Sequence, residues 1–212
     1  TLALNPDGSF TYTHDGGETT SDHFTYRASD GAAASDLATV TLTITQVNDP
    51  PVARDDNYAA DEGDALIVGA AQGVLANDSD VDSEVLTATL ISDVAHGVLA
   101  LQSDGSFIYT HDGGETTSDM FVYRVGDGVT WGNTATVHID INGVNDAPVA
   151  RADTATTPED TAIIIDVLAN DMDVDGDRLL VAVVTHPCHG TVVNYGGTVS
   201  FTPDANFNGE DA

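Results

Sequence analysis

Apolar side chains recur at every second position wherever this chain reads as ordered. Ser106-Phe107-Ile108-Tyr109-Thr110, Met120-Phe121-Val122-Tyr123-Arg124-Val125 and Ala135-Thr136-Val137-His138-Ile139-Asp140-Ile141 all alternate, and all are rich in β-branched or aromatic residues. Val137, Ile139 and Ile141 fall on one face of such a strand, with Thr136, His138 and Asp140 on the other. Val40, Leu42 and Ile44 repeat that face near the N-terminal end. No segment sustains a 3.6-residue period between helix caps. Turn signals separate the alternating runs, at Asp104-Gly105, Asp112-Gly113-Gly114, Asp127-Gly128 and Asn142-Gly143. About seven short strands per hundred residues, each bounded by such turns, predict an all-β chain of antiparallel β-sandwiches of immunoglobulin type.

The pattern is also repeated. Residues 12–22, YTHDGGETTSD, return letter for letter as residues 109–119, 97 positions on. Leu2-Ala3-Leu4 returns as Leu99-Ala100-Leu101, and Val47-Asn48-Asp49 as Val144-Asn145-Asp146. VLANDSDVD from Val74 returns as VLANDMDVD from Val167. The unit is about a hundred residues, enough for a domain to bury its own core. Boundaries fall at Asn48-Asp49-Pro50-Pro51 and Asn145-Asp146-Ala147-Pro148, where proline makes short, stiff joints. The expected division is the C-terminal part of one module (1–48), a complete module (49–145) and the N-terminal part of a third (146–212). The terminal modules are expected to be incomplete, with the true N-terminus upstream. Each end then exposes unpaired strand edges. A cut from a longer protein is the expectation, and head-to-tail docking between chains the alternative.

Charge narrows the function. The 212 residues carry 35 acids and 5 bases, a formal net charge of −30. Six acids are Glu and 29 are Asp; all five bases are Arg. Such a surplus excludes nucleic acid or an anionic membrane as a natural partner. It suits a protein that works in salt or holds divalent cations, and the preference for the short Asp carboxylate favours calcium. Disorder does not fit, because 41% of residues are apolar and they are patterned. Cys188 is alone, so no internal disulfide staples the fold. No apolar run approaches the ~20 residues of a membrane span.

The acids are arranged. Asn77-Asp78-Ser79-Asp80-Val81-Asp82-Ser83-Glu84 in the middle module matches Asn170-Asp171-Met172-Asp173-Val174-Asp175-Gly176-Asp177 in the third. A carboxylate at every second position of a folded-back loop is costly unless a cation neutralises it, and Ca²⁺ takes six to eight oxygens. An EF-hand is excluded, since the twelfth positions from Asp78 and Asp171 are Thr89 and Ala182. The joints add oxygens: Asn48, Asp49, Asp55 and Asp56 at the first, Asn145, Asp146 and Asp153 at the second, with Glu62 and Glu159 near the start of each module.

Other constellations read as structure. His14-Asp15 and His111-Asp112 sit in Gly-Gly turns with no second ligand at metal spacing and no nucleophile nearby. His186, Cys188 and His189 have no Cys counterpart in the middle module. Tyr12, Tyr109 and Trp131 could stack on sugars, but Trp131 aligns with Ala34 and is no shared feature. Tyr26-Arg27 and Tyr123-Arg124 read as packing within the sandwich or as pairing with an acid. No convergent acid, base and nucleophile set suggests an enzyme.

Taken together, VNDPPVA and VNDAPVA, Pro158-Glu159-Asp160, VLANDxDVD, His96-Gly97 and His189-Gly190, DGSFxYTHDG and FxYRxxDG resemble the cadherin-like and VCBS-type tandem repeats of large RTX-type bacterial surface adhesins. The resemblance covers essentially the whole chain. It implies Ca²⁺ held at module ends and joints, stiffening a secreted or cell-surface rod for adhesion, biofilm or matrix attachment. Its partners would be neighbouring repeats, extracellular polysaccharide or other adhesins. The alternative is a calcium-dependent carbohydrate-binding module attached to a polysaccharide-active enzyme. Ala152 stands where the first joint has Asp55, and Ser83 where the third module has Gly176, so the two joints need not hold equal numbers of ions.

Overall fold

Fourteen short strands and one 3₁₀ turn (Ala70–Gln72) make up the regular structure of the computed structural model, which describes residues 1–83 and 85–210. They fall in two compact units, Thr1–Asp112 with Ser118–Ile141, and Gly113–Thr117 with Asn142–Ala212.

In the first unit, β1 (Leu2–Leu4) pairs with β2 (Phe10–Tyr12), and β3 (Ser21–Tyr26) with β4 (Ala38–Thr43). Four further strands form a sheet in the order β5 (Asp56–Asp61), β11 (Trp131–Asn142), β10 (Ser118–Gly126), β7 (Thr87–Ser92). Three more form a second sheet, β6 (Ala65–Val68), β9 (Phe107–His111), β8 (Gly97–Leu101). β10 pairs antiparallel with β11 and with β7, and β9 antiparallel with β6 and with β8.

The alternation in sequence is the reason for the layers. On β9, Phe107, Tyr109 and His111 are buried, while Ile108 and Thr110 face water. On β10 and β11, Phe121, Tyr123, Val137 and Ile139 are fully buried in turn. The inner faces therefore interdigitate into one apolar core, as in an immunoglobulin-like sandwich. Phe107 of one sheet meets Phe121 of the other edge-to-face at 5.5 Å. Phe10 and Phe24, their counterparts 97 residues earlier, make the same edge-to-face contact at 5.1 Å. The His-Gly pair is explained by close backbone approach, because a Cβ on Gly97 would lie 2.3 Å from the carbonyl oxygen of Thr110.

The second unit carries a three-stranded antiparallel sheet, β12 (Ile163–Ile165), β14 (Val199–Pro203), β13 (Gly190–Asn194), with Val199 buried at its centre. Gly190 repeats the role of Gly97, its Cβ position falling 2.6 Å from the carbonyl oxygen of Thr202. Cys188 is exposed, and His189 stacks on Phe207 at 4.3 Å. None of the described helical segments is long and apolar enough to cross a membrane.

Candidate metal centre

The acidic loop is fastened to the proline joint by backbone. Val52 and Ser79 exchange both hydrogen bonds of an antiparallel bridge, at 2.8 and 3.1 Å. The Arg54 N–H donates to Asp78 Oδ1 at 2.9 Å, and the Asn77 amide donates to the Asp55 carbonyl at 3.1 Å. These bonds leave the end of the loop beside Asp49, whose N–H donates to Asp82 Oδ2 at 2.5 Å. Asp80 bends the loop, its Oδ1 accepting from the backbone of Asp82 and Ser83 at 2.7 and 3.0 Å. Asn48 closes the other side, its amide donating to Asp127 Oδ2 at 2.7 Å.

The same frame is built again at the second joint. Val149 and Met172 form the bridge at 2.7 and 3.1 Å, and Arg151 N–H donates to Asp171 Oδ1 at 2.8 Å. Asn170 donates to the Ala152 carbonyl at 3.2 Å, Asp146 N–H to Asp175 Oδ2 at 2.7 Å, and Asp177 N–H to Asp173 Oδ1 at 3.1 Å. Asn145 donates to the Asp146 carbonyl at 2.9 Å, as Asn48 does to Asp49 at 3.0 Å. Replacing Asp55 by Ala152 leaves this frame intact, because it uses the carbonyl of that residue and not its side chain.

Each joint also gathers a carboxylate that the spacing of acids did not reveal. Glu18 faces Asp82, and that hydrogen-bonding carboxylate, together with partial desolvation and the charge of Asp49, holds the Glu18 carboxyl above its ordinary range. At the second joint, oxygens of Glu115 and Asp146 lie within 4.8 Å of each other. Glu18 and Glu115 occupy the same place in the repeated stretch of residues 12–22 and 109–119. That identity was the available signal, since only six Glu occur in the chain.

The sequence-derived residues separate into groups. Asp49, Asp80 and Asp82 converge at the first joint with Asn48, and Asp146 and Asp175 at the second with Asn145 and Asp173. Asp56 and Asp78 form an inner cluster against Tyr123, whose hydroxyl lies 2.7 Å from the Val74 carbonyl and about equally close to both Asp78 oxygens, at 3.0 and 3.1 Å. Burial, and then the neighbouring charge of Asp78, push the Asp56 carboxyl up to about 7. Burial likewise raises Asp78. Asp55 points elsewhere, its Oδ1 accepting the backbone N–H of Thr136 at 2.7 Å. Glu62 is buried at the turn between β5 and β6. Glu159 is exposed in the turn before β12, and Asp153 and Asp177 are exposed as well. Glu84 lies outside the described residues. His111 is buried and accepts the Gly63 N–H at 3.2 Å through Nδ1, a turn-fixing use of its ring.

What is left over is oxygen. Asp80 Oδ2, Asp56 Oδ2 and Asn77 Oδ1 are buried and have no hydrogen-bond donor among the described residues, and Asn170 Oδ1 repeats this in the second unit. A buried acceptor without a donor costs on the order of 1–3 kcal/mol. A set made only of carboxylate and amide oxygens fits a hard divalent cation, Ca²⁺ above Mg²⁺ because of the carboxylate number, and offers nothing to a sulfur- or nitrogen-seeking metal.

A bacterial cadherin-like domain model matches residues 48–143, and a bacterial Ig domain model matches residues 1–43 and 145–212. The chain belongs to the bacterial Ig domain family, with its middle part matched by the cadherin-like model. These cadherin-like and Ig domains resemble solved structures at the level of fold. Protocadherin Gamma B2 extracellular cadherin domains 1–5 superpose with a TM-score of 0.59 at 15% identity, over 98% of this chain and 44% of that one. Protocadherin Gamma B7 extracellular cadherin domains 1–4 give 0.53 at 16% identity, over 98% of this chain and 56% of that one. The chain thus spans about half the length of these structures. Among curated proteins it is similar to the calcium-binding lectin RapA2 of Rhizobium johnstonii, at 28% identity over 68% of this chain and 72% of that protein.

Proposed function

We propose that this chain is a calcium-binding segment of a secreted or cell-surface bacterial adhesin of the RTX type with VCBS-like repeats. It comprises the end of one repeat (1–48), a whole repeat (49–145) and the start of a third (146–212). The observation that carries the reading is the duplicated joint, in which the same hydrogen-bonded frame twice draws the linker backbone onto a loop carboxylate (Asp49 N–H onto Asp82; Asp146 N–H onto Asp175) and a Glu carboxylate comes close to an acid of that joint, Glu18 to Asp82 and Glu115 to Asp146. At the first joint, Glu18, Asp49, Asp80 and Asp82 would hold Ca²⁺, with Asn48 fixing the linker. At the second, Glu115, Asp146, Asp173 and Asp175 would do so, with Asn145. The bound ion supplies positive charge that turns mutual repulsion into a cross-link between linker and loop. Work of this kind is mechanical and non-catalytic: it holds successive repeats stiff so that an adhesive end can reach matrix, biofilm or another cell.

Limited proteolysis tests the stiffening directly. Cleavage within residues 46–50 should be slow in Ca²⁺ and fast in chelator, while cleavage within the middle sandwich stays slow in both. Equal cleavage of the joint in both conditions refutes the stiffening role. A second reading, binding of extracellular carbohydrate, is favoured by the similarity to a calcium-binding lectin.

A further inference from the structure

Trp131 is 51% exposed, although covering an indole would stabilise the fold. The ring is nonetheless fixed. Trp131 is the cross-strand partner of Gly126, and a Cβ on Gly126 would meet Cε3 and Cζ3 of the indole at 2.7 Å. The six-membered ring therefore occupies the space a side chain at position 126 would need. The corresponding pair 97 residues earlier, Ser29 and Ala34, forms the same antiparallel bridge with two small side chains. Both members of the pair differ in the middle module, one losing its Cβ and the other gaining an indole.

Arg124 stands beside this ring, its Cζ 5.7 Å from the indole centroid. Its Nε donates to the Gly132 carbonyl at 3.0 Å, as the Arg27 guanidinium does to the Ser35 carbonyl at 3.1 Å. The anchoring is common to both modules; the indole beside it is not. Among the described residues Arg124 pairs with no carboxylate, which leaves its terminal nitrogens for an outside acceptor. Thr134 and Thr89 are its partners on the two neighbouring strands, and both are exposed. A flat apolar ring, a planar donor and two hydroxyls thus share the solvent face of one sheet.

We propose that Trp131 and Arg124 form a sugar platform that takes one pyranose ring of a polysaccharide. The C–H face of the sugar lies on the indole, and a hydroxyl or carboxylate of the ring accepts from the guanidinium. The proposal rests on the carbohydrate-binding reading and gives it a location; it does not depend on the calcium sites.

Trp131 is the one tryptophan of the chain, so its emission reports on this place alone. The full chain is titrated in Ca²⁺ with cellohexaose, an uncharged pyranose chain, and separately with a galacturonate oligomer, with calorimetry in parallel. The expected result is a saturable change in emission with at least one of them. Its identity tells whether a hydroxyl or a carboxylate meets Arg124. Trp131→Ala and Arg124→Gln should each weaken calorimetric binding by ~10-fold or more, with Trp131→Phe retaining most of it. The melting temperatures of all three should stay near that of the parent. Sugar binding that survives Trp131→Ala overturns this site and leaves the carbohydrate-binding reading standing. Absence of any response to both sugars overturns the two together.

Discussion

Asp119 accepts four hydrogen bonds in the interior, and replacing it by Asn should be costly in a calculable way. Its Oδ1 receives the backbone N–H groups of Ala95 and Met120 at 3.0 and 2.8 Å. Its Oδ2 receives the His96 N–H at 2.9 Å and the Tyr109 hydroxyl at 3.0 Å. An Asn keeps one oxygen and turns the other into a donor. The least costly orientation aims the new amide N–H₂ at the Oδ2 side, because the Tyr109 hydroxyl can rotate to accept, whereas the His96 N–H is left facing a donor. One orphaned buried N–H costs roughly 1–3 kcal/mol, and the surviving bonds lose their charge assistance, so Asp119→Asn should destabilise by about 2–4 kcal/mol. The effect should be pH-dependent. Burial raises the Asp119 carboxyl, but the three N–H groups and the phenol outweigh it and hold it below its ordinary value. A depressed folded-state value gives stability that is complete above the ordinary carboxylate range near ~4 and is lost as pH falls through the folded value. Urea unfolding of parent and variant at pH 7, repeated toward pH 2.5, should therefore show a gap that narrows on acidification. It should have the same size in Ca²⁺ and in chelator. Asp22→Asn, at the exposed counterpart that among the described residues receives only the Tyr12 hydroxyl and the His23 N–H, should have a far smaller effect. A gap below about 1 kcal/mol at neutral pH, or one unchanged by acid, refutes the reasoning.

Three further outcomes follow from the joints. Asp80→Asn with Asp82→Asn should abolish calorimetric Ca²⁺ binding at the first joint and spare the second, while Asp173→Asn with Asp175→Asn should do the reverse. Glu18→Gln should raise or leave unchanged the melting temperature in chelator, where it relieves repulsion by Asp82, and lower it in Ca²⁺, where a ligand is lost. Gly132→Ala should destabilise by ~2 kcal/mol or more in denaturant titration, because its Cβ would lie 1.9 Å from the carbonyl oxygen of the buried Pro51.

The sandwich was legible because its strands bury one face each. Val137, Ile139 and Ile141 alternate with exposed His138 and Asp140, so a two-residue period in sequence is a direct projection of the sheet. The acidic loop was legible for a different reason: its carboxylates are neighbours in the chain as well as in space. Glu18 and Glu115 were not, because they reach the joint from loops far away in sequence that connect strands of different sheets, and only the folded chain brings them in. Asp55 and Asp56 show the opposite failure. They are adjacent and read as one pair of ligands, yet β5 begins between them and sends them to opposite sides, one to the Thr136 N–H and the other to the cluster around Tyr123. The indole at Trp131 read as an unshared residue, and only its pairing with Gly126 shows that the two differences from the preceding module form one feature.

If the acids of the joints are calcium ligands and not merely an adaptation to salt, the folded state must depend on the ion. Thermal melting of the full chain, in saturating Ca²⁺ and in excess chelator at one fixed ionic strength, tests it most directly. An ion present at a hundred times its dissociation constant stabilises the folded state by about 2.7 kcal/mol, and for a module of about a hundred residues that is a shift of about 10–20 °C. A fall of at least ~10 °C is expected on chelation. Coincident melting curves in the two solutions would contradict it.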